Sequence, residues 1–183
     1  MVFAHMPAGY LLTRFMSGRF GVRAPEATRL LMVGLAASVL PDMDLLYSFF
    51  LDLDQNGHHN MWPHLPLAWV AITLVAYALA RLRDGELWRQ AVLVFGANVM
   101  LHLVLDSLVG GIHWLYPFSD QLYRMTRVVP YYKWWLLNHI VHWTFIFEIL
   151  IVLAAGAVFG MDMLRRRPPA ELGAKLERDD ICG

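Results

Sequence analysis

The chain has 183 residues, 58% of them hydrophobic and 13% aromatic but only 16% charged, which lies well on the apolar side of a soluble protein. Fifteen basic residues balance fifteen acidic ones, so the basic footprint of a nucleic-acid binder is absent and no such partner is expected. The one cysteine, Cys182, excludes an internal disulfide and a thiolate metal cluster.

The expected fold is therefore all-α: a polytopic membrane bundle of about four transmembrane helices with a short N-terminal helix. The first residues, Met1 to Pro7, lack a basic stretch followed by an apolar core, so no removable signal peptide is expected. Phe3 to Phe15 predicts an amphipathic helix, too short and too polar to span, with His5 near its start. A Gly/Arg-rich turn follows over 17–23.

The first span runs from Leu30 to Leu51 and is interrupted at Pro41-Asp42-Met43-Asp44. Proline disfavours helical geometry at Leu40 and removes a backbone donor, so the helix breaks or kinks there. Asp42 and Asp44 would face nearly opposite sides of a regular helix, and only an irregular backbone brings both to one site. Residues 52–64 form a polar loop in which His58, His59 and His64 make the densest donor cluster of the chain. Short His-rich tracts read as metal-binding. His64 opens the second span, Leu65 to Ala80, and Arg81, Arg83 and Arg89 bracket the loop that leads to the third.

That third span, Ala91 to Val109, carries Asn98, His102 and Asp106 at i, i+4 and i+8, one polar stripe on an apolar helix. Ionisable groups are expensive in hydrocarbon unless they are paired, metal-bound or facing a polar cavity. An imidazole and a carboxylate one turn apart can point at one divalent cation of the zinc, manganese or iron type. The plainer reading is a His-Asp hydrogen bond that holds helices together.

Gly110-Gly111 ends the helix, and residues 112–138 form an aromatic-rich loop suited to the headgroup level. The fourth span, Ile140 to Leu164, carries His142, Thr144 and Glu148 and stops at Arg165-Arg166-Arg167. Pro168 to Gly183 reads as a charged, disordered tail. With the N-terminus assigned to the cytoplasm, twelve basic residues fall inside and three, Arg124, Arg127 and Lys133, outside. Four spans with both termini cytoplasmic follow, and most histidines gather at the outer ends. His5 is the outlier: it precedes four cytoplasmic arginines and joins the rest only if residues 1–16 dip back into the bundle.

Together, Ala4-His5, Leu40 to Asp44, His58 to His64, His102-Leu-Val-Leu-Asp106 and Trp114 to Ser119 resemble the YdjM-like family of bacterial inner-membrane proteins, described as metal-dependent hydrolases. The likeness covers roughly residues 1–150, and the chain is read as one membrane-embedded domain over 1–167 with 168–183 as its tail. By motif position the resemblance implies a metal site of His5, Asp42, His59, His64, His102 and Asp106. The chain departs from the family at Asn60 and Pro63, where Arg and Thr are frequent.

The pattern is also similar to zinc-dependent phospholipase C and related nucleases. That implies cleavage of a phosphoester or lipid-linked substrate at the outer membrane-water interface, on one or two ions of zinc, or else manganese or iron. Asp44 would then be a bridging ligand or general base, and His142 a proton donor or outer partner of the ligands. The partners are membrane lipids and a small-molecule or lipid substrate. Three rivals use the same residues. A b-type haem would take His102 and His142 as axial ligands, but the accompanying acids do not suit it. A metal or proton transporter would be expected to show internal repeats, and none is visible. A scaffold would use the polar residues as packing contacts only.

Overall fold

On the helices of this chain many large apolar side chains face outward while several polar ones are buried, unlike the pattern of a soluble domain. The computed structural model describes residues 3–43, 62–83 and 85–166. Six α-helices are present among them: α1 (His5–Arg19), α2 (Glu26–Val39), α3 (Pro66–Arg81), α4 (Glu86–Asp106), α5 (Trp135–Ile140) and α6 (Phe145–Arg166), with a 3-10 turn at Trp62–His64 before α3. Asp44, His58, His59, the far part of the first predicted span and the tail 168–183 lie outside the described residues.

Among the described residues two helices are long and apolar enough to cross a membrane, α4 with a mean hydropathy of 1.4 and α6 with 2.1. They correspond to the third and fourth predicted spans. The second predicted span is α3, apolar but only 16 residues long. α6 turns Ile146, Phe147, Leu150 and Leu153 outward, and α3 does the same with Leu74, Val75 and Leu79. The interior instead holds Thr13, Ser38, Asn98, His102, Asp106 and Glu148. Such an arrangement suits hydrocarbon outside and hydrogen-bonded polar contacts between helices.

α1 joins this bundle. Gly9 lies against Ser38 of α2, and Gly34 of α2 against Thr13 of α1, so these two helices are antiparallel. A methyl group at either glycine would collide with the neighbouring side chain, and the close approach depends on its absence. Gly96 of α4 makes the same allowance for Thr73 of α3. Within this tight crossing Asn98 Nδ2 donates to Thr13 Oγ1 at 3.0 Å and to the Val94 carbonyl at 2.8 Å. The apolar part of the core sits beside it, where Ala37, Trp69, Val99, Leu103 and Ile112 pack together.

The chain directions place the ends. α1 leaves from His5 and α2 returns to Asp42, while α3 leaves from His64 and α4 returns to Asp106. α6 leaves from the same end: Phe3 N–H donates to Glu148 near its start, and Arg14 makes two hydrogen bonds to Asp162 near its finish, at 2.5 and 2.6 Å. Phe3 and the last turn of α6 are thus at opposite ends of the bundle, because α1 traverses it.

The predicted fourth span begins as two elements. Between α5 and α6 the backbone turns over 141–144, where His142 Nδ1 lies 2.8 Å from Thr144 Oγ1 and Phe145 N–H donates to the His142 carbonyl at 2.9 Å. The loop before α5 is tied back by a two-bond bridge between Ile112 and Tyr123 and by the Trp114 indole donating to Ser107 Oγ at 2.8 Å.

Candidate metal centre

The break at Pro41 makes the first feature of the site. Proline has no N–H for the Ala37 carbonyl, and the next amide, that of Asp42, bonds Val39 at 3.2 Å in a tighter turn. The Ser38 carbonyl is thereby available to another group. His102 Nδ1 lies 2.8 Å from it.

A carbonyl only accepts, so Nδ1 of His102 carries a proton and donates it. In the neutral ring Nε2 is then the lone-pair nitrogen, and it lies 3.1 Å from Asp106 Oδ2 and 3.5 Å from Asp42 Oδ1. A lone pair held against two carboxylates needs a cation between them, either a second proton or a metal ion.

Two more imidazoles converge there. His5, at the first position of α1, puts Nε2 3.1 Å from Asp106 Oδ1 and stacks on His102 with ring centroids 3.9 Å apart. His64 puts Nε2 3.6 Å from Asp106 Oδ2 and 4.0 Å from Asp42 Oδ1. Its 3-10 turn is fixed by the Trp69 indole, which donates to the Pro63 carbonyl at 2.7 Å. His5, His64, His102 and Asp106 retain 3%, 0%, 1% and 2% of their exposure, so water does not solvate this charge. Asp42 is partly open, the one member through which the cluster meets its surroundings.

The donor set fits a divalent metal ion. His5, Asp42, His102 and Asp106 each offer a ligand atom, and those atoms lie within 4.8 Å of one another. Nε2 of His5 and Nε2 of His102 are buried without an aligned hydrogen bond, which is how ligand atoms look when they face a common point. Mixed imidazole and carboxylate ligation suits zinc, manganese or iron. The backbone bond at His102 Nδ1 is the usual outer partner of a ligating histidine.

Of the residues singled out by sequence, the structure brings His5, Asp42, His64, His102 and Asp106 together. His5 joins because α1 runs back through the bundle. His142 is not in the group of four and bonds Thr144 instead. Asp44 and His59 are outside the described residues. Asn98, third member of the stripe, leaves the site to bond Thr13.

Two features escaped the sequence reading. One is the Ser38 carbonyl, whose signal is the proline three residues on. The other is a second buried pair, His139 with Glu148, hydrogen-bonded across the 141–144 turn. Nine residues along a straight helix would stand about 13.5 Å apart. No proline or glycine in Val141-His-Trp-Thr144 marks the turn that closes this gap.

An all-helical bundle with apolar outer faces and a buried His/Asp cluster capable of holding a metal ion is the class of protein that these features define. The chain belongs to the family described as YdjM inner membrane protein, whose sequence model matches residues 1–167. No curated protein and no solved structure matches the chain.

Proposed function

We propose that the chain is a multi-pass inner-membrane hydrolase that uses a divalent metal ion, zinc or else manganese or iron, to cleave a phosphoester or lipid-linked substrate at the outer membrane-water interface. The observation that carries this reading is His102, whose protonated Nδ1 is committed to the Ser38 carbonyl while Nε2 faces Asp106 and Asp42. His5, Asp42, His64, His102 and Asp106 would hold the ion, with His59 as a further ligand. When bound, the ion supplies Lewis-acid chemistry, acidifying water and neutralising charge on a phosphoryl or carbonyl oxygen.

The chain's own residues do the rest. The Ser38 carbonyl fixes the His102 ring, and the burial of His5 and His64 keeps bulk water from the ligand side. Asp42, the partly open member, faces the direction of substrate entry. Asp44 would serve as a further ligand or general base, and His142, held by Thr144, as a proton donor or outer partner of the ligands. The exposed aromatic side chains Phe118, Tyr131, Tyr132, Trp134 and Trp143 belong to the segments around α5 and suit contact with lipid headgroups.

The test is metal analysis by mass spectrometry on detergent-purified, untagged protein alongside a His102→Ala/Asp106→Ala double variant. One or two equivalents of metal in the wild type and none in the variant are expected, followed by turnover in a phosphodiester and phospholipid screen that the variant lacks. Wild-type protein that takes up no zinc, manganese or iron when these are supplied would leave the cluster as a proton-linked packing contact and sink the proposal.

A further inference from the structure

The His139–Glu148 pair lies outside the four-residue cluster, and its chemistry is not needed to hold a metal. It is nevertheless as buried as the cluster itself, at 6% and 1% exposure. Burying a carboxylate in a bundle costs several kcal/mol unless donors surround it, which makes its retention informative. One Glu148 oxygen takes His139 Nε2. The other accepts the backbone N–H of Phe3 at 2.6 Å. The Phe3 ring packs edge-on against Phe145, which packs edge-on against His139.

Phe3 is two residues before His5. The helix start between them has no side-chain cap, and Ala4 is fully buried in a small apolar cluster with Ala8 and Leu105, joined by Ile151 of α6. Among the described residues, Glu148 accepts a hydrogen bond that crosses from this N-terminal segment to α6. A carboxylate beside the first turn of α1 also complements the positive end of the helix dipole. The segment would otherwise fray, as uncapped ends near a terminus do.

We infer that Glu148, oriented by His139, is a positioning residue for His5: it anchors Phe3 to α6 so that the His5 imidazole is held against Asp106. This inference rests on the proposed metal site for its consequence, though not for its geometry. Loss of a group bonded directly to a ligand typically lowers metal affinity about 10- to 100-fold, and loss of the anchor that holds His5 in place is expected to act on the same order.

The experiment pairs two readouts on Glu148→Ala and Glu148→Gln. Hydrogen exchange on metal-free protein reads the anchor itself. The segment 3–8 should lose protection in E148A and recover it in E148Q, whose amide oxygen still accepts the Phe3 N–H, while the Thr13 turn of α1 is unchanged in both. Zinc titration reads the consequence: E148A should bind about 10- to 100-fold more weakly than wild type, with E148Q close to wild type. Equal protection of residues 3–8 in wild type and E148A overturns the inference, as does wild-type zinc affinity in E148A. A wild-type protein that binds no zinc defeats the metal reading instead, and the exchange arm then decides the anchor alone. If E148A does not fold, E148Q decides: loss of both protection and affinity there overturns the role of the accepting oxygen.

Discussion

Asn98, His102 and Asp106 share one stripe of α4 and have different fates. Periodicity places all three on one face. What lies opposite each is decided by other parts of the chain: Thr13 for Asn98, the Ser38 carbonyl for His102, and the imidazoles of His5 and His64 for Asp106. The stripe was therefore legible and its division was not, because the sequence does not state the register of α1 against α4. The division makes a sharp contrast between two substitutions. Asp106→Asn keeps the shape and removes the charge that His5, His64 and His102 face, so zinc should be lost by mass spectrometry. Asn98→Ala leaves those residues untouched and should keep its zinc while unfolding more readily, by about 1–3 kcal/mol, because Thr13 loses its buried partner.

Helix packing here depends on which glycines lie at crossings. Gly34 and Gly96 each sit where an added methyl would strike a threonine of the adjacent helix, whereas Gly156 on α6 has open space around it. Gly34→Ala or Gly96→Ala should lower stability by roughly 1–3 kcal/mol through overpacking. Gly156→Ala should raise it by about 0.5–1 kcal/mol, since glycine in a helix interior is costly and nothing opposes the methyl. Thermal unfolding in one detergent checks both, and equal shifts of one sign at all three positions would contradict the packing described. The sequence displayed some of this scale well: α3, α4 and the break at Pro41 follow from apolar runs and a proline. It concealed the α5–α6 turn, which is held by a His142–Thr144 contact and the His139–Glu148 pair rather than by any helix-breaking residue. It also concealed the place of α1, since fifteen residues of mixed polarity read as too short to cross a membrane and their partners are far along the chain.

At the scale of the whole molecule the ends differ in charge. Arg14, Arg19, Arg23, Arg29, Arg81, Arg83, Arg89 and Arg165 lie on or beside the helix ends remote from the cluster, while His5, Asp42, His64 and Asp106 lie together at the other. Basic residues are retained on the cytoplasmic side, so the remote end should face the cytoplasm and the cluster should face outward. Sequence reasoning reached that polarity from the arginines alone, while assuming that the chain starts on the basic side. Since α1 traverses the bundle, Phe3 belongs instead with the cluster, and an N-terminal epitope tag offers a direct check. In a Cys182→Ser background, a cysteine at exposed Phe118 should react with a membrane-impermeant maleimide on intact cells, and a cysteine at exposed Arg83 only after permeabilisation. The N-terminal tag should be open to external protease in the same cells. A tag protected alongside Arg83 would mean that α1 does not run from the cluster to the basic end in the membrane. His5 would then have no route to Asp106, and the proposed ligand set would shrink to Asp42, His59, His64, His102 and Asp106.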